Sequence, residues 1–399
     1  MLSTSRAKLW VVVGAVMAGL GAVGAQQRSG APNPFPGGTN PDGSLRPTPP
    51  LTRLFTQDAY TEYAILEPGS ESFRIRFLPE ETRTGATELV NATRGGSEGS
   101  GVEVYDPRTG KPLPFTYEID PKDPESHAIH ARLPIPVPAG GIGRVLIYKT
   151  YKDARTYTMH GEDIAWVRSL SGYRLGVLLP KGFAFLSSNV AAQLSTTSDG
   201  RLKMAFANPS GQSNPVTIHA RRTTATFTPT AGPDVFFDDV KTLYDLQAPE
   251  THRIAVDQSY SDFRKTKGLV TTLDSPAYLP FDTLQVTDLD TAKPLTVMKA
   301  GAATTVALDV PIVDDQQSAH LRLTGTIADP AYTVTGGDLV FARTLKGLRN
   351  TVLLPEGWEV AEVSQSATIG RVDGRVFVAF INLNAENAYA VRIRARRAH

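Results

Sequence analysis

The sequence predicts an all-β protein built as two tandem homologous β-sandwich modules, immunoglobulin-like or jelly-roll-like, and three observations carry that prediction. The first is an internal duplication. Arg174 to Phe183 reads RLGVLLPKGF and Arg349 to Trp358 reads RNTVLLPEGW, and each copy sits in a matching frame. Gly161-x-Asp163-Ile164 and Arg168-x-Leu170 precede the first copy, as Gly336-x-Asp338-Leu339 and Arg343-x-Leu345 precede the second. Asp199-Gly200-Arg201 and Asp373-Gly374-Arg375 follow, and both frames close on Ile-x-Ala-Arg-Arg, at Ile218 and at Ile393. The second observation is the texture of the chain, short runs of alternating apolar and polar residues bounded by Gly, Pro, Asn and Asp. The third is size without staples: 399 residues and no cysteine. Modules of roughly 150 to 175 residues bury about 70% of their unfolded surface and need neither metal nor disulfide to fold.

Before the modules stands an N-terminal extension. Arg6 and Lys8 precede an uncharged apolar run from Leu9 to Val23, and Val23-Gly24-Ala25 offers small residues for cleavage before Gln26. Residues 1–25 therefore read as a signal peptide, with an uncleaved membrane anchor as the alternative. No cysteine follows the run, which argues against a lipid anchor, and export of a cysteine-free chain points to a periplasmic or extracellular location. Residues 26–52, rich in Pro, Gly, Ser and Asn, are too polar to build a core and read as a tether.

Module one is expected over 53–228. Ser72 to Phe77, SFRIRF, alternates as a half-buried strand does, and so does Arg144 to Thr150, matched by Ala319 to Thr324 in the second copy. Asp106-Pro107 and Thr109-Gly110 mark a turn between strands, answered by Val286 to Leu295, VTDLDTAKPL. Leu202, Met204 and Phe206 form one strand face, repeated by Val376, Val378 and Phe380, and the Asp-Gly before each supplies a tight hairpin turn. The proline of Val-Leu-Leu-Pro ends its strand because it has no ladder donor. Over 229–250 lies a linker in which Asp234 to Leu246 carries Phe236, Val240, Leu243 and Tyr244 at helical spacing. A short helix is expected there, with a pair of short strands as the alternative. Module two follows over 251–399. Each module is expected as one sandwich or as two smaller ones.

The stretches TQDAYTEYAILEPGS, YKD before the Gly-x-Asp strand, VLLPKGF, DGRLKMAFANP and the closing Ala-Arg-Arg resemble exported proteins of unassigned function from environmental bacteria. The resemblance covers most of module one and, more loosely, module two. It implies no activity and transfers no catalytic residue.

Forty-one basic against forty acidic residues leave a net charge of +1, which gives no footprint for nucleic acid. Among catalytic signatures, HExxH, G-x-S-x-G, the phosphate-binding lysine loop, the dinucleotide fingerprint and a cysteine nucleophile are all missing from the sequence. Neither a catalytic residue nor a cofactor is assigned. Two histidine groupings, His127-x-x-His130 and His160-Gly-Glu162-Asp163, have metal-ligating types. The second is not repeated, since Thr335 and Gly337 replace His160 and Glu162, so no metal is assigned either. Asp238-Asp239 and Asp314-Asp315 lack the spacing of a calcium loop.

The candidate binding residues are arginines and one tryptophan. Arg168 and Arg343 occupy equivalent strand positions beside Trp166 and Phe341, and each needs a partner, for which Asp163 and Asp338 are the nearest in sequence. Arg392, Arg394 and Arg396, with Arg397, form a basic stripe. It reads as an anion-attracting face or as charge that protects a terminal edge strand from pairing. The function expected is a non-catalytic exported binding or structural protein of the cell envelope, acting on a protein or polysaccharide. The alternatives are a hydrolytic enzyme with its site between the modules, marked by two buried carboxylates or a His–carboxylate pair in a cleft there, and an accessory factor for secretion or envelope assembly.

Overall fold

A computed structural model describes residues 59–398, apart from 93–95, 121–122, 209–212, 231–238 and 383–387. The expected signal peptide and tether lie outside the described residues. Within them the fold is all-β, broken only by two three-residue 3-10 turns, Pro249–Thr251 and Ser275–Ala277.

Each module is two sandwiches sharing one long sheet. In module one that sheet runs, neighbour to neighbour, through Gln193–Thr196, Leu202–Ala207, Arg174–Leu178, Ala59–Ile65, Ser72–Glu81, Leu146–Lys152 and Glu98–Tyr105. Its one parallel pair joins Ala59–Ile65 to Arg174–Leu178, and the intervening chain supplies the long connection that parallel strands require. A three-stranded sheet (Glu88–Ala92, Asp123–Arg132, Phe115–Asp120) and a four-stranded sheet (Phe183–Ser188, Asn214–Arg222, Asp163–Leu170, Tyr157–His160) complete the module. Leu89, Ile129, Val145 and Ile147 form the core of the smaller sandwich. Phe73, Trp166, Leu175, Phe183 and Met204 belong to the core of the larger one.

Module two repeats the plan strand for strand. Lys241–Leu246 pairs parallel with Arg349–Leu353, which pairs antiparallel with Arg375–Ile381, as Ala59–Ile65, Arg174–Leu178 and Leu202–Ala207 do. The two Val-Leu-Leu-Pro segments thus hold topologically identical strands. Glycine is required at the following hairpins, where Gly200 has φ 82° and Gly374 φ 78°. Phe183 and Trp358, just after each proline, are buried in the cores.

The helix expected over Asp234–Leu246 is not formed in its described part. Lys241–Leu246 is a strand in which Thr242, Tyr244 and Leu246 are buried while Lys241, Leu243 and Asp245 are half-buried. Leu243 and Tyr244, neighbours on a helical face, take opposite faces of a strand, and pairing on both edges overrides the local spacing. Module two therefore begins with this strand, and residues 231–238 lie outside the described residues.

The modules meet through reciprocal contacts. Arg144 lies opposite Glu80 in one long sheet, and His320 opposite Ser261 in the other, at matching positions. The Ile142 N–H donates to the Leu289 carbonyl at 2.8 Å, and Ser318, the match of Ile142, donates to Pro107, the match of Leu289, at 2.7 Å. Arg144 reaches Ser261 at 3.1 Å while His320 faces Glu80 at 3.7 Å. Such exchange of equivalent partners marks a two-fold contact, here made within one chain. Phe263 of module two adds apolar cover over Tyr60, Leu78 and Leu146 of module one.

Candidate functional site

The arginines singled out in the sequence are structural. Ile164, Trp166, Arg168 and Leu170 are all buried on one face of their strand, so Arg168 enters the core. Its guanidinium lies 3.6 Å from Asp153 and 5.1 Å from the Phe73 ring centroid, and Asp153 also accepts hydrogen bonds from Ser97 and Thr156. Arg343 pairs with Asp329 and donates to the Tyr278 carbonyl at 2.6 Å. The partners expected from sequence are therefore wrong. Asp163 and Arg168 stand five residues apart in one strand, as do Asp338 and Arg343, so they point to opposite faces. Asp163 instead binds Arg221 at 2.6 Å, which holds its carboxyl below the usual carboxylate range. Trp166 is fully buried against Tyr63 and Phe73, at centroid distances of 5.3 and 6.1 Å, and belongs to the core.

Three arginines of the basic stripe lie against two carboxylates. Arg394 bonds Asp338 and Glu362, each at 2.9 Å, Arg396 bonds Asp338 at 3.1 Å, and Arg392 lies 3.8 Å from Glu362. The strand that carries them, Tyr389–Arg397, is not an edge either. It sits between Asp338–Leu345 and Trp358–Val363, so its arginines serve cross-strand pairing rather than edge protection.

The histidines do not converge. His127 and His130 are three apart in a strand and take opposite faces. His127 stacks on Tyr117 at 5.4 Å, whereas His130 faces Glu88 at 3.1 Å. His160 is exposed at a strand end. Among the described residues no cluster of three or more His, Asp or Glu is arranged to hold a metal.

Between the modules lies a buried group of charges that the sequence reading missed as a unit. Arg144, its side chain 2% exposed, clamps Asp290 with two bonds of 2.7 and 2.6 Å, and His320, 1% exposed, lies 3.8 Å from Asp290 and 3.7 Å from Glu80. Burial opposes the charge on Asp290, but the Arg144 guanidinium and His320 outweigh it and hold its carboxyl well below the usual range. Here are the carboxylates and the histidine of the enzyme alternative, but not its cleft. At this burial no substrate-sized opening reaches them among the described residues, and they are held by one another and by Lys241, Ser261 and Ser318. They join two modules.

An open site lies elsewhere, in module two, where its two sandwiches meet. A cleft of about 560 Å³ is bounded by the strands Val270–Leu273, Val297–Ala300 and Ala303–Ala307, by the turn Ser275–Ala277 and by the Lys346-Gly347 loop. Tyr278 is fixed from within. Its hydroxyl accepts from Gln258 Nε2 at 2.9 Å, Gln258 also donates to Thr242 at 2.9 Å and accepts from Ser275, and Arg343 holds the Tyr278 carbonyl. Lys346 Nζ lies 5.0 Å from the centroid of the Tyr278 ring, and Lys299 Nζ donates to Thr304 Oγ1 at 3.1 Å. Asp274, at the rim, is bonded to Arg264 at 2.8 Å, and Arg264 also pairs with Asp262 at 2.9 Å. Neither Lys299 nor Lys346 forms an ion pair with a carboxylate among the described residues.

Tyr278, Lys299 and Lys346 are far apart in sequence, and none lies in a motif. One signal was available. The frame Leu170-Ser171-Gly172 returns as Leu345-Lys346-Gly347, and a lysine that breaks an otherwise faithful repeat at a loop deserves a functional question. No family model matches the chain, and no curated protein matches it.

Proposed function

We propose that this protein is a non-catalytic binding protein, exported through its N-terminal segment to the cell envelope, where it engages a polysaccharide or protein partner. One observation carries the reading. The charged groups suited to catalysis are sealed inside the module junction and bonded to each other, whereas the open cleft of module two presents two ammonium groups without carboxylate partners beside a tyrosine held by buried hydrogen bonds. Held donors at an open cleft with small apolar walls suit binding, since little ordering is left to occur when a ligand arrives. The apolar run Leu9 to Val23 after Arg6 and Lys8 supports export. A pull-down of envelope polysaccharide and protein fractions with the purified chain tests this. Retention of a specific fraction without its chemical change is expected, and turnover of any retained fraction would favour the hydrolytic alternative.

A further inference from the structure

We infer that the cleft of module two binds a carboxylate-bearing saccharide, with Lys346 and Lys299 as the groups that recognise its acid function. This inference rests on the binding reading and gives it a ligand class. Both ammoniums are held in place without being neutralised, Lys346 by the Tyr278 ring and Lys299 by the Thr304 hydroxyl. A cation–π contact and a hydroxyl fix a lysine but leave its charge to be met by an anion. The cleft volume falls in the range of about 300–1,000 Å³ usual for pockets that enclose a small ligand.

The rest of the lining describes what carries that anion. Thr272 supplies an exposed hydroxyl, Thr304 is engaged by Lys299, and Val240, Leu273, Pro276, Ala277, Ala302 and Ala303 make the apolar walls. An acidic peptide bound with useful affinity would need deep apolar or aromatic pockets for anchor side chains, and among the described residues Tyr278 is the one aromatic residue in the lining, with Lys346 over its ring. A hydroxylated ring with a carboxylate asks for hydroxyl partners, small walls and a cation, as found here. Lysine suits the task because it is a point charge that does not demand the planar two-toothed geometry of arginine.

The test is calorimetry on the full chain with an oligogalacturonate, its methyl ester and an oligoglutamate of similar charge. Binding of the acid is expected, with affinity falling as salt is raised, at least about tenfold weaker binding of the uncharged ester, and a loss of about tenfold or more in the double variant Lys299→Ala/Lys346→Ala. The conservative variant Lys346→Arg should retain most of the affinity. Both lysines are exposed, so an unchanged melting temperature certifies the fold of the double variant. The inference is overturned if the acid does not bind, if the double variant binds it unchanged, or if oligoglutamate binds more tightly through the same lysines. A retained envelope fraction whose capture ignores both substitutions would sink this inference and leave the broader binding function standing.

Discussion

Module one and module two share the plan of their long sheets, yet the seam between their two sandwiches is built differently in each. The strand registers set Lys149, opposite Ile75, at the place of Gly325, opposite Val256. In module one the Lys149 side chain spans the seam to Asn91 Oδ1 at 2.5 Å and lies over the Tyr151 ring at 4.8 Å. In module two a side chain at Gly325 would strike the Thr283 carbonyl and Phe281. That glycine admits the loop that follows Tyr278, so the place Lys149 takes in module one is taken in module two by Phe281 and the Thr283 backbone. Duplication preserved the cores, which demand volume and alternation, and let the seam diverge, where a lysine in one copy answers to a glycine in the other.

If the cores are the shared part, equivalent truncations should hurt both modules alike. Trp166 and Phe341 hold matching positions and are both fully buried. Trp166→Ala and Phe341→Ala should each cost about 3–5 kcal/mol, read from the midpoint of denaturant unfolding. A small loss in one and a large loss in the other would break the equivalence.

Next comes the junction, which treats the modules unequally because arginine in one faces histidine in the other. Arg144→Leu strips a buried carboxylate of its cation and should destabilise by about 3–5 kcal/mol at neutral pH. The sign with pH follows from Asp290. Its folded pKa is depressed, so its stabilising contribution is complete above the unfolded value of about 4 and is lost as pH falls through the folded value. The difference between wild type and Arg144→Leu should therefore shrink as pH is lowered below about 4. Equal differences at pH 3 and pH 7 would show that Arg144 acts by packing alone.

A smaller effect, of opposite sign, is expected at Lys149 in the seam of module one. Burial, with the Arg168 guanidinium nearby, pulls the Lys149 amine down to about 7. A depressed lysine burdens the folded state most below that pH, and the burden lifts as pH rises towards the unfolded value of about 10.4. Lys149→Met should thus raise stability by about 1 kcal/mol at pH 6, with the gain fading by pH 10. Thermal melts of both proteins across that range check it, and a loss at pH 6 would mean that the bond to Asn91 outweighs the burial of charge. The smallest change belongs to the cleft of module two, where Lys299→Ala/Lys346→Ala should alter stability by no more than about 0.5 kcal/mol.

The parts of this account that were legible in the sequence are those decided locally. Alternation in SFRIRF, the Asp-Gly hairpins and the strand-ending prolines depend on a few neighbouring residues, and the repeat aligned them twice. Pairing over distance was not legible. Arg168 finds Asp153 rather than Asp163 because strand geometry sends Asp163 the other way, and the helical spacing around Tyr244 yields to two strand partners. The junction groups Glu80, Arg144, Asp290 and His320 come from separate strands and turns of both modules and carry no motif. For the cleft, only the lysine replacing Ser171 in the second copy left a trace.

Binding at the cleft of module two through Lys299 and Lys346 is tested most directly by stoichiometry. Native mass spectrometry of the full chain with an oligogalacturonate should show one ligand per chain, and none in the Lys299→Ala/Lys346→Ala variant. Two ligands per chain, or one that survives both substitutions, would contradict it.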